Sequence, residues 1–220
     1  RSEGTSTPAA SPVPNDAERV VSTIPSVTEL VYAIDAGELL VGRSTHCDYP
    51  AEVEVLPSVG SGLDPDMEVL LTLSPTMVLA AEPQQGAPWM QRLEDAGIDV
   101  VVVPDARLDD VPIALRLLGE RLDREAAAER AASDYEQAIA QVVSDYGATT
   151  ADVRTLVVVA TDPIYAAGPD SRLGEMLVRL GATNAVDDGA GVELDAEAAV
   201  ATAPDVIVVS EGNETAAIER

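Results

Sequence analysis

The most regular apolar pattern in the chain lies between Asp123 and Tyr146, in the segment DREAAAERAASDYEQAIAQVVSDY. Apolar side chains recur there three or four residues apart, which is the period of one helix face. No glycine or proline interrupts the segment, Asp123 suits the N-cap, and Gly147 follows as a stop signal. The pattern predicts one helix, roughly 36 Å long. Its apolar stripe consists of Ala128, Ala131, Tyr135, Ala138, Val142 and Tyr146.

Short continuous apolar runs, such as Met77–Ala81 and Val206–Val209, alternate with helical patterns on both sides of this helix. Continuous apolar strands are typical of parallel sheets that helices cover on both faces. Ligands bind such sheets beyond the carboxyl ends of the strands. We therefore expect a common mouth formed by the loops at 24–28, 44–50, 60–66, 82–89 and 161–171.

The chain also contains internal repeats. The segment Met67–Glu82 reappears 129 residues later in altered form, so that Glu68 corresponds to Glu197. A weaker likeness, at an offset of 146 residues, relates the stretch that begins at Glu29 to the one that begins at Glu175. Repetition on this scale predicts two similar α/β units.

The predicted fold class is α/β, with two Rossmann-like lobes on parallel sheets joined by one long helix. Residues 1–18 are rich in Ser, Thr, Pro, Ala and Gly, and we expect a flexible tether there. That tether is either a disordered terminus or the stalk of an exported, membrane-anchored protein. The remaining units are an N-terminal lobe (19–110), a helical connection that includes the linking helix (111–147), and a C-terminal lobe (148–220), for which an incomplete unit is one interpretation.

Composition restricts the partners. The net charge is −26, and all 13 basic residues are arginine. This balance argues against binding to nucleic acid or to an anionic membrane surface. An acidic, lysine-free surface suits a halophilic organism, although codon bias is an equal explanation. No run of eighteen apolar residues is present, so the sequence predicts no transmembrane helix.

The residues that could carry chemistry are few. His46 and Cys47 are the only histidine and cysteine, and their side chains diverge in extended backbone, which argues against a nucleophilic pair. A single histidine cannot build a metal triad, and phosphate-binding glycine motifs are absent from the sequence. We expect Cys47 to be a small buried side chain. For His46, ligand contact and no contact are equally consistent with the sequence. We expect that the protein is not an enzyme. Trp89 and Tyr165 fall in predicted mouth loops and could pack on a ligand.

Three stretches carry a resemblance to a known family: RVVSTIPSVTELVYAIDAGELLVGRSTHCDYP from Arg19, LPSVGSGLDPDMEVLLTLSPTMVLAAE from Leu56, and IYAAGPDSRLGEMLVRLGATNAVDD from Ile164. They resemble the solute-binding proteins of ABC importers for cobalamin, haem and ferric siderophores, and look most like the cobalamin-binding branch. The resemblance implies two α/β lobes on a rigid linking helix. It also implies delivery of a corrin or iron chelate to a permease and ATPase complex.

The resemblance also suggests roles for residues and a location. It implies permease docking through Glu68 and Glu197, whose alternative role is stabilisation by the helix dipole. It implies an extracytoplasmic, monomeric protein, held at the membrane only by an upstream lipid anchor, and a ligand that is cargo rather than cofactor. His46 could be an axial ligand of a bound corrin or haem, and no resident metal is expected. The expected ligand contacts are Pro25, Ser26, His46, Tyr49, Gly62, Trp89 and Tyr165.

Other functions remain open at this point. Within transport, the alternatives to cobalamin are haem, a siderophore or, less well supported by a single histidine, a free metal ion. An enzyme on paired α/β lobes would need more cysteine or histidine than the chain has. A surface adhesin or sensor subunit without a transported ligand is the third class.

Overall fold

A computed structural model describes residues 18–210 of the chain. The predicted tether at 1–18 therefore lies outside the described residues, except for Glu18. The first sheet contains four parallel strands in the order β2-β1-β3-β4. Its strands are β1 (Val20–Ser22), β2 (Leu40–Arg43), β3 (Met77–Ala81) and β4 (Asp99–Val103).

Helices cover both faces of this sheet. Side chains of β3 alternate between the faces, so Leu79 joins one core cluster while Val78 and Ala80 join the other. Helices α1 and α4, together with the start of the long helix, pack in the first cluster, and α2 and α3 pack in the second. The helices are α1 (Pro25–Ala33), α2 (Met67–Thr72), α3 (Pro88–Asp95) and α4 (Asp110–Arg121), with short 3-10 turns at Gly37–Leu39, Ala51–Val55 and Glu82–Gln84.

The long helix, α5, runs from Glu125 to Thr150, which is 26 residues and about 39 Å. Its predicted N-cap is wrong, because Asp123 has a left-handed backbone (φ 55°) and the helix begins two residues later. Its predicted stop at Gly147 is also wrong. The last turn packs against the end of a helix in the second lobe, where the Thr150 hydroxyl donates to the carbonyl of Leu180.

The apolar stripe of α5 is only partly buried. Ala128 and Ala132 are enclosed by the first lobe, where α5 lies against α4. Farther along, Val142 and Tyr146 are 45% and 59% exposed. The first third of α5 therefore belongs to the core of the first lobe, and the rest projects beyond that core.

The second sheet is mixed. Strand β5 (Arg154–Thr161) pairs in parallel with β7 (Thr183–Asn184) and β9 (Val206–Val209). It also forms an antiparallel hairpin with β6 (Ile164–Ala167), which in turn pairs with β8 (Gly191–Leu194). The helices of this lobe are α6 (Arg172–Arg179) and α7 (Ala196–Ala201).

The predicted fold class is confirmed: two α/β lobes are joined by one long helix. The prediction of a parallel sheet is wrong for the second lobe, because β6, whose residues were assigned to a loop at 161–171, pairs antiparallel with β5 and β8. The domain boundaries at 110 and 147 fall at the start of α4 and inside α5, and the division into domains stays a prediction.

The sequence repeat corresponds to a structural repeat. Helix α2 and strand β3 begin 129 residues before α7 and β9, respectively. The carboxylates of Asp66 and Asp195 cap the two helices, accepting backbone N–H groups at 3.0 Å from Glu68 and at 2.7 Å from Ala198. The two halves therefore share a capped helix that leads into a parallel strand.

The lobes meet at an ionic junction between α6 and the segment 105–109 that follows β4. Glu175 of α6 is 7% exposed, and its carboxylate accepts the backbone N–H of Leu108 at 2.8 Å. Arg179, one helical turn later, donates to Glu175 at 3.0 Å and also to Asp109. Arg107 lies 3.7 Å from the same Glu175 carboxylate. We call this group of side chains the inter-lobe clasp.

The middle of α5 adjoins the clasp. Tyr135 is half-buried there, and burial raises the pKa of its phenol, an effect that the nearby Arg172 and Arg179 oppose. The carboxylates of Asp109 and Glu175 raise the pKa of Arg179 above its ordinary value. The linking helix and the two lobes thus converge on one cluster of paired charges.

We predict that Glu175→Gln lowers the free energy of unfolding by about 1–3 kcal/mol, because Arg107 and Arg179 lose a buried counter-charge while the Leu108 N–H keeps an acceptor. Urea unfolding followed by circular dichroism measures the change. The control is Glu120→Gln, an exposed acid on α4. Equal stability of the two variants would show that the clasp does not stabilise the fold.

Candidate functional site

The carboxyl ends of the four parallel strands form one edge of the first lobe. Of the loops predicted to meet at a common mouth, the one at 161–171 belongs instead to the second lobe, where it contains β6. Four segments leave from that edge: 23–24 after β1, 44–50 after β2, 82–87 after β3 and 104–109 after β4. A fifth segment, at 60–66, joins them through a hydrogen bond at 2.8 Å from the N–H of Thr45 to the carbonyl of Gly60. We call these five segments the mouth.

The segment after β2 places His46 and Cys47 in opposite environments. Cys47 is fully buried, and its sulfur lies 3.1 Å from the hydroxyl oxygens of both Thr28 and Ser44. The prediction of a small buried side chain is therefore confirmed. His46 and Tyr49 are exposed, Tyr49 by 66%. Both are available for contact, and their ligand-binding roles stay predictions.

Gly62 lies against the backbone of the β1–α1 connection. A Cβ atom at this position would stand 2.1 Å from the carbonyl oxygen of Thr23, so only glycine permits this approach. The residue is itself buried. The structure thus gives Gly62 a role in loop packing, and its predicted ligand contact stays a prediction.

Pro25 and Ser26 form the first turn of α1 and are half-buried. The Ser26 hydroxyl donates to the Asp105 carboxylate at 2.7 Å, and Arg172 of the second lobe donates to the same carboxylate at 2.6 Å. Asp105 therefore connects the N-terminal ends of α1 and α6.

An open cavity of about 250 Å³ adjoins this contact. It is smaller than the 300–1,000 Å³ usual for pockets that enclose a drug-sized ligand. A corrin or a haem therefore does not fit inside it, although one edge group of a larger ligand does. Its lining residues are Ser26, Glu29, Leu30, Pro104, Asp105, Val111 and Arg172.

Tyr165 lies on β6 of the second lobe and is 42% exposed. Its ring packs across Gly191 of the neighbouring strand, where a Cβ would stand 2.7 Å from the ring. The aromatic side chain is thus supported from one side and open on the other. That arrangement is compatible with its predicted stacking role, which stays a prediction.

Trp89 is not in a loop, and this part of the prediction is wrong. Pro88 opens α3, so Trp89 is a helical residue, and its side chain is 5% exposed within the second core cluster. The loop was predicted to extend to residue 89, whereas Pro88 already occupies the first helical turn. Ligand contact by Trp89 stays a prediction, for a side chain that belongs to the same core cluster as Val59 and Leu70.

The charges exposed at the mouth are mostly negative. Asp48, Asp64 and Glu82 are exposed there. The nearby arginines are engaged: Arg43 donates to the backbone carbonyls of Ser44 at 3.1 Å and Glu54 at 3.3 Å, and Arg172 pairs with Asp105. Arg107 is exposed in the 104–109 segment and lies 3.7 Å from the Glu175 carboxylate. Among the described mouth segments, the potential therefore favours a ligand without net negative charge.

Glu68 and Glu197 occupy the same place in the two repeats, at the second residue of α2 and of α7. Both are exposed. Since Asp66 and Asp195 already cap these helices, neither glutamate is needed as a cap. Their docking role stays a prediction.

Three polar residues of this region were not singled out from the sequence: Gln84, Asp105 and Arg172. Asp105 and Arg172 lie 67 residues apart and meet only in the folded chain. The sequence does indicate that Arg172 begins a helix, because Ser171 is a helix cap and Glu175 and Arg179 are spaced as a helical ion pair. Gln84 gave no signal in the sequence.

Among residues 18–210, no group of three or more His, Cys, Asp or Glu side chains is placed to hold a metal ion. Within the same range, no helix combines the length and the apolar character needed to cross a bilayer.

Known proteins resemble this chain over most of its length. An uncharacterised ABC transporter substrate-binding lipoprotein of Bacillus subtilis is 31% identical over 94% of this chain and 68% of its own length. A vitamin B12-binding protein of Pectobacterium carotovorum is 30% identical over 78% of this chain and 62% of its own length. The chain thus spans about two thirds of the length of these relatives.

Solved structures agree with the fold. The haem-binding protein RhuT of Roseiflexus superimposes with a TM-score of 0.77 and 28% identity, over 88% of this chain and 76% of that one. The family model described as "Periplasmic binding protein" matches residues 20–219, which include both lobes and the linking helix. The chain belongs to the periplasmic binding protein family.

Proposed function

We propose that this protein is the extracytoplasmic solute-binding component of an ABC importer, which captures a corrin or iron chelate between its lobes and delivers it to a permease. The observation that carries the proposal is the clasped pair of α/β lobes with strand-end loops gathered at one mouth. Such strand-end crevices are where α/β sheets bind ligands. The family match and the Bacillus and Pectobacterium relatives support the same function.

Cobalamin is the favoured ligand. Haem carries two propionates and catecholate siderophores are anionic, whereas cobalamin has no net negative charge. The exposed carboxylates of Asp48, Asp64 and Glu82, together with the engaged guanidinium of Arg172, disfavour anionic ligands. The likeness to a vitamin B12-binding protein supports the same preference.

Haem is the second candidate, and two observations favour it. The structure of a haem-binding protein superimposes closely on this chain, and the exposed His46 offers an imidazole nitrogen for axial ligation of iron. In either case the ligand is cargo rather than cofactor, and the protein performs no chemistry on it.

The proposed setting is outside the cytoplasm. A lipid anchor upstream of the tether would hold the protein at the membrane, as the name of the Bacillus relative suggests for that protein. The proposed partners are a permease dimer and its ATPase. Glu68 and Glu197 would contact arginines of the permease, because carboxylate–guanidinium bonds are bidentate and fix orientation.

We expect the purified protein to bind cyanocobalamin in preference to haemin or a ferric siderophore. After incubation and desalting, an absorbance scan should show the corrin bands co-eluting with the protein, since the mouth favours a ligand without net negative charge. Retention of haemin alone would identify the second candidate. Retention of none of the three would contradict the proposed function.

We expect His46→Ala to weaken binding of the retained ligand about tenfold, because an exposed imidazole at the mouth is lost as a contact or axial ligand. Affinity is measured by absorbance titration at several values between about pH 5.5 and 8, the range where imidazole usually changes charge. Asp145→Ala, a change at an exposed site on α5, is the control. Equal affinity of wild type and His46→Ala throughout this range would remove His46 from the site.

We expect Glu68→Ala combined with Glu197→Ala to leave ligand affinity intact and to reduce transport strongly in vesicles that contain the permease and ATPase. The two carboxylates steer and align docking, so the defect should be greatest at low salt. Glu120→Ala combined with Glu125→Ala removes the same charge elsewhere and should transport normally. Normal transport by the first double variant at every ionic strength would restrict both glutamates to a helix-dipole role.

A further inference from the structure

Gln84 is a buried amide in the 82–87 segment of the mouth. It ends the short 3-10 turn that follows β3, and its side chain is 2% exposed. Burial of an amide is unfavourable unless its donors and acceptor are satisfied. Its hydrogen bonds therefore show what holds it in place.

Both ends of the amide are bonded. The oxygen of Gln84 accepts the backbone N–H of Ala81 at 2.8 Å and lies 3.1 Å from the hydroxyl of Thr23. The nitrogen of Gln84 donates to the carbonyl of Gly62. One side chain thus joins the segment after β3, the segment after β1 and the 60–66 segment.

The joined segments fit closely. Gly62 approaches Thr23 so nearly that a side chain at position 62 would collide with the Thr23 carbonyl, and it would also come within 3.1 Å of the Gln84 nitrogen. The 60–66 segment in turn accepts the N–H of Thr45 through the carbonyl of Gly60 at 2.8 Å. The loop that carries His46 is therefore attached, through Gly60, to the segment that Gln84 holds.

We propose that Gln84 is a positioning residue that holds three mouth segments in the arrangement that receives the ligand. It need not touch the ligand, since it acts by fixing the backbone at Gly62 and Thr23. The ligand-binding part of this inference rests on the proposed function, whereas the loop-fixing part does not.

An amide suits this position because the site requires a donor and an acceptor on one planar group. Leucine has a similar size but leaves the Ala81 N–H and the Gly62 carbonyl unpaired in a buried place. Glutamate keeps the acceptor but presents a carboxylate to the Gly62 carbonyl when it is ionised. Once protonated, the same glutamate regains a donor, so Gln84→Glu supplies a reversible test.

The first measurement follows amide hydrogen exchange without ligand in wild type, Gln84→Leu and Gln84→Glu. We expect exchange at Ala81 and Thr45, and across the 60–66 segment, to accelerate at least tenfold in Gln84→Leu, because the hydrogen bonds that close these segments are lost. Exchange in the strands β1 and β4 should stay unchanged. Unaltered protection of all three segments in a folded variant would overturn the proposal.

The second measurement is the affinity for cyanocobalamin between about pH 8 and pH 5, chosen to span the titration of a buried glutamic acid. We expect Gln84→Leu to bind at least tenfold more weakly at every pH. Gln84→Glu should bind weakly at pH 8 and recover towards wild type at pH 5, as protonation restores the donor to Gly62. Gln84→Leu, which has no titratable group at this position, should show no such recovery.

Gln91→Leu and Gln91→Glu are the matched controls, since Gln91 is exposed on α3 and bonds only to Asp95 in the described structure. They should behave as wild type in both measurements. If wild type binds no ligand, the proposed function fails while the exchange measurement still decides the role of Gln84. If wild type binds and Gln84→Leu binds equally well at every pH, the positioning role is refuted while the proposed function stands.

Discussion

The arrangement of the two lobes depends on one buried carboxylate. Glu175 lies on α6 of the second lobe, yet it accepts a backbone N–H from Leu108 of the first lobe and is flanked by Arg107 and Arg179. A buried charge is tolerated only when it is paired and hydrogen-bonded, so these partners must stay in place. The adjoining contact of Asp105 with Arg172 extends the same junction to the mouth. Loss of the lobe angle would separate Glu175 from Leu108 and Arg107 and leave it with Arg179 alone.

This junction changes the interpretation of the long helix. Only the first part of α5 is buried, against α4 in the first lobe, and its distal half exposes Val142 and Tyr146. With α5 as the sole connection, one end of each lobe would be fixed, and nothing would oppose rotation of the second lobe about the last turn of α5. The clasp supplies a second point of attachment near the middle of α5, beside Tyr135. Helix and clasp together can hold the two lobes at one angle.

Much of the fold could be predicted from the sequence, because apolar periodicity and helix caps are local signals. Strands β3 and β9 have the predicted bounds, and the 129-residue repeat reappears as two capped helix–strand units. Two elements were misassigned because proline and glycine are also common at helix boundaries. Pro88 opens α3, and α5 continues past Gly147 to Thr150, whose hydroxyl donates to a carbonyl of the second lobe. The hydrogen bonds of Gln84, Asp105 and Glu175 join residues that are distant in sequence, and no local sequence pattern predicts them.

The central claim is that the lobes are held at one fixed angle, so that the two repeated glutamates keep a constant spacing. Pulsed dipolar spectroscopy between nitroxide labels at Glu68→Cys and Glu197→Cys measures this spacing directly, since both sites are exposed and the native Cys47 is buried. The account predicts one narrow distance distribution that keeps its maximum when cyanocobalamin is added. A broad distribution in the free protein, or a displaced maximum on ligand addition, would contradict it.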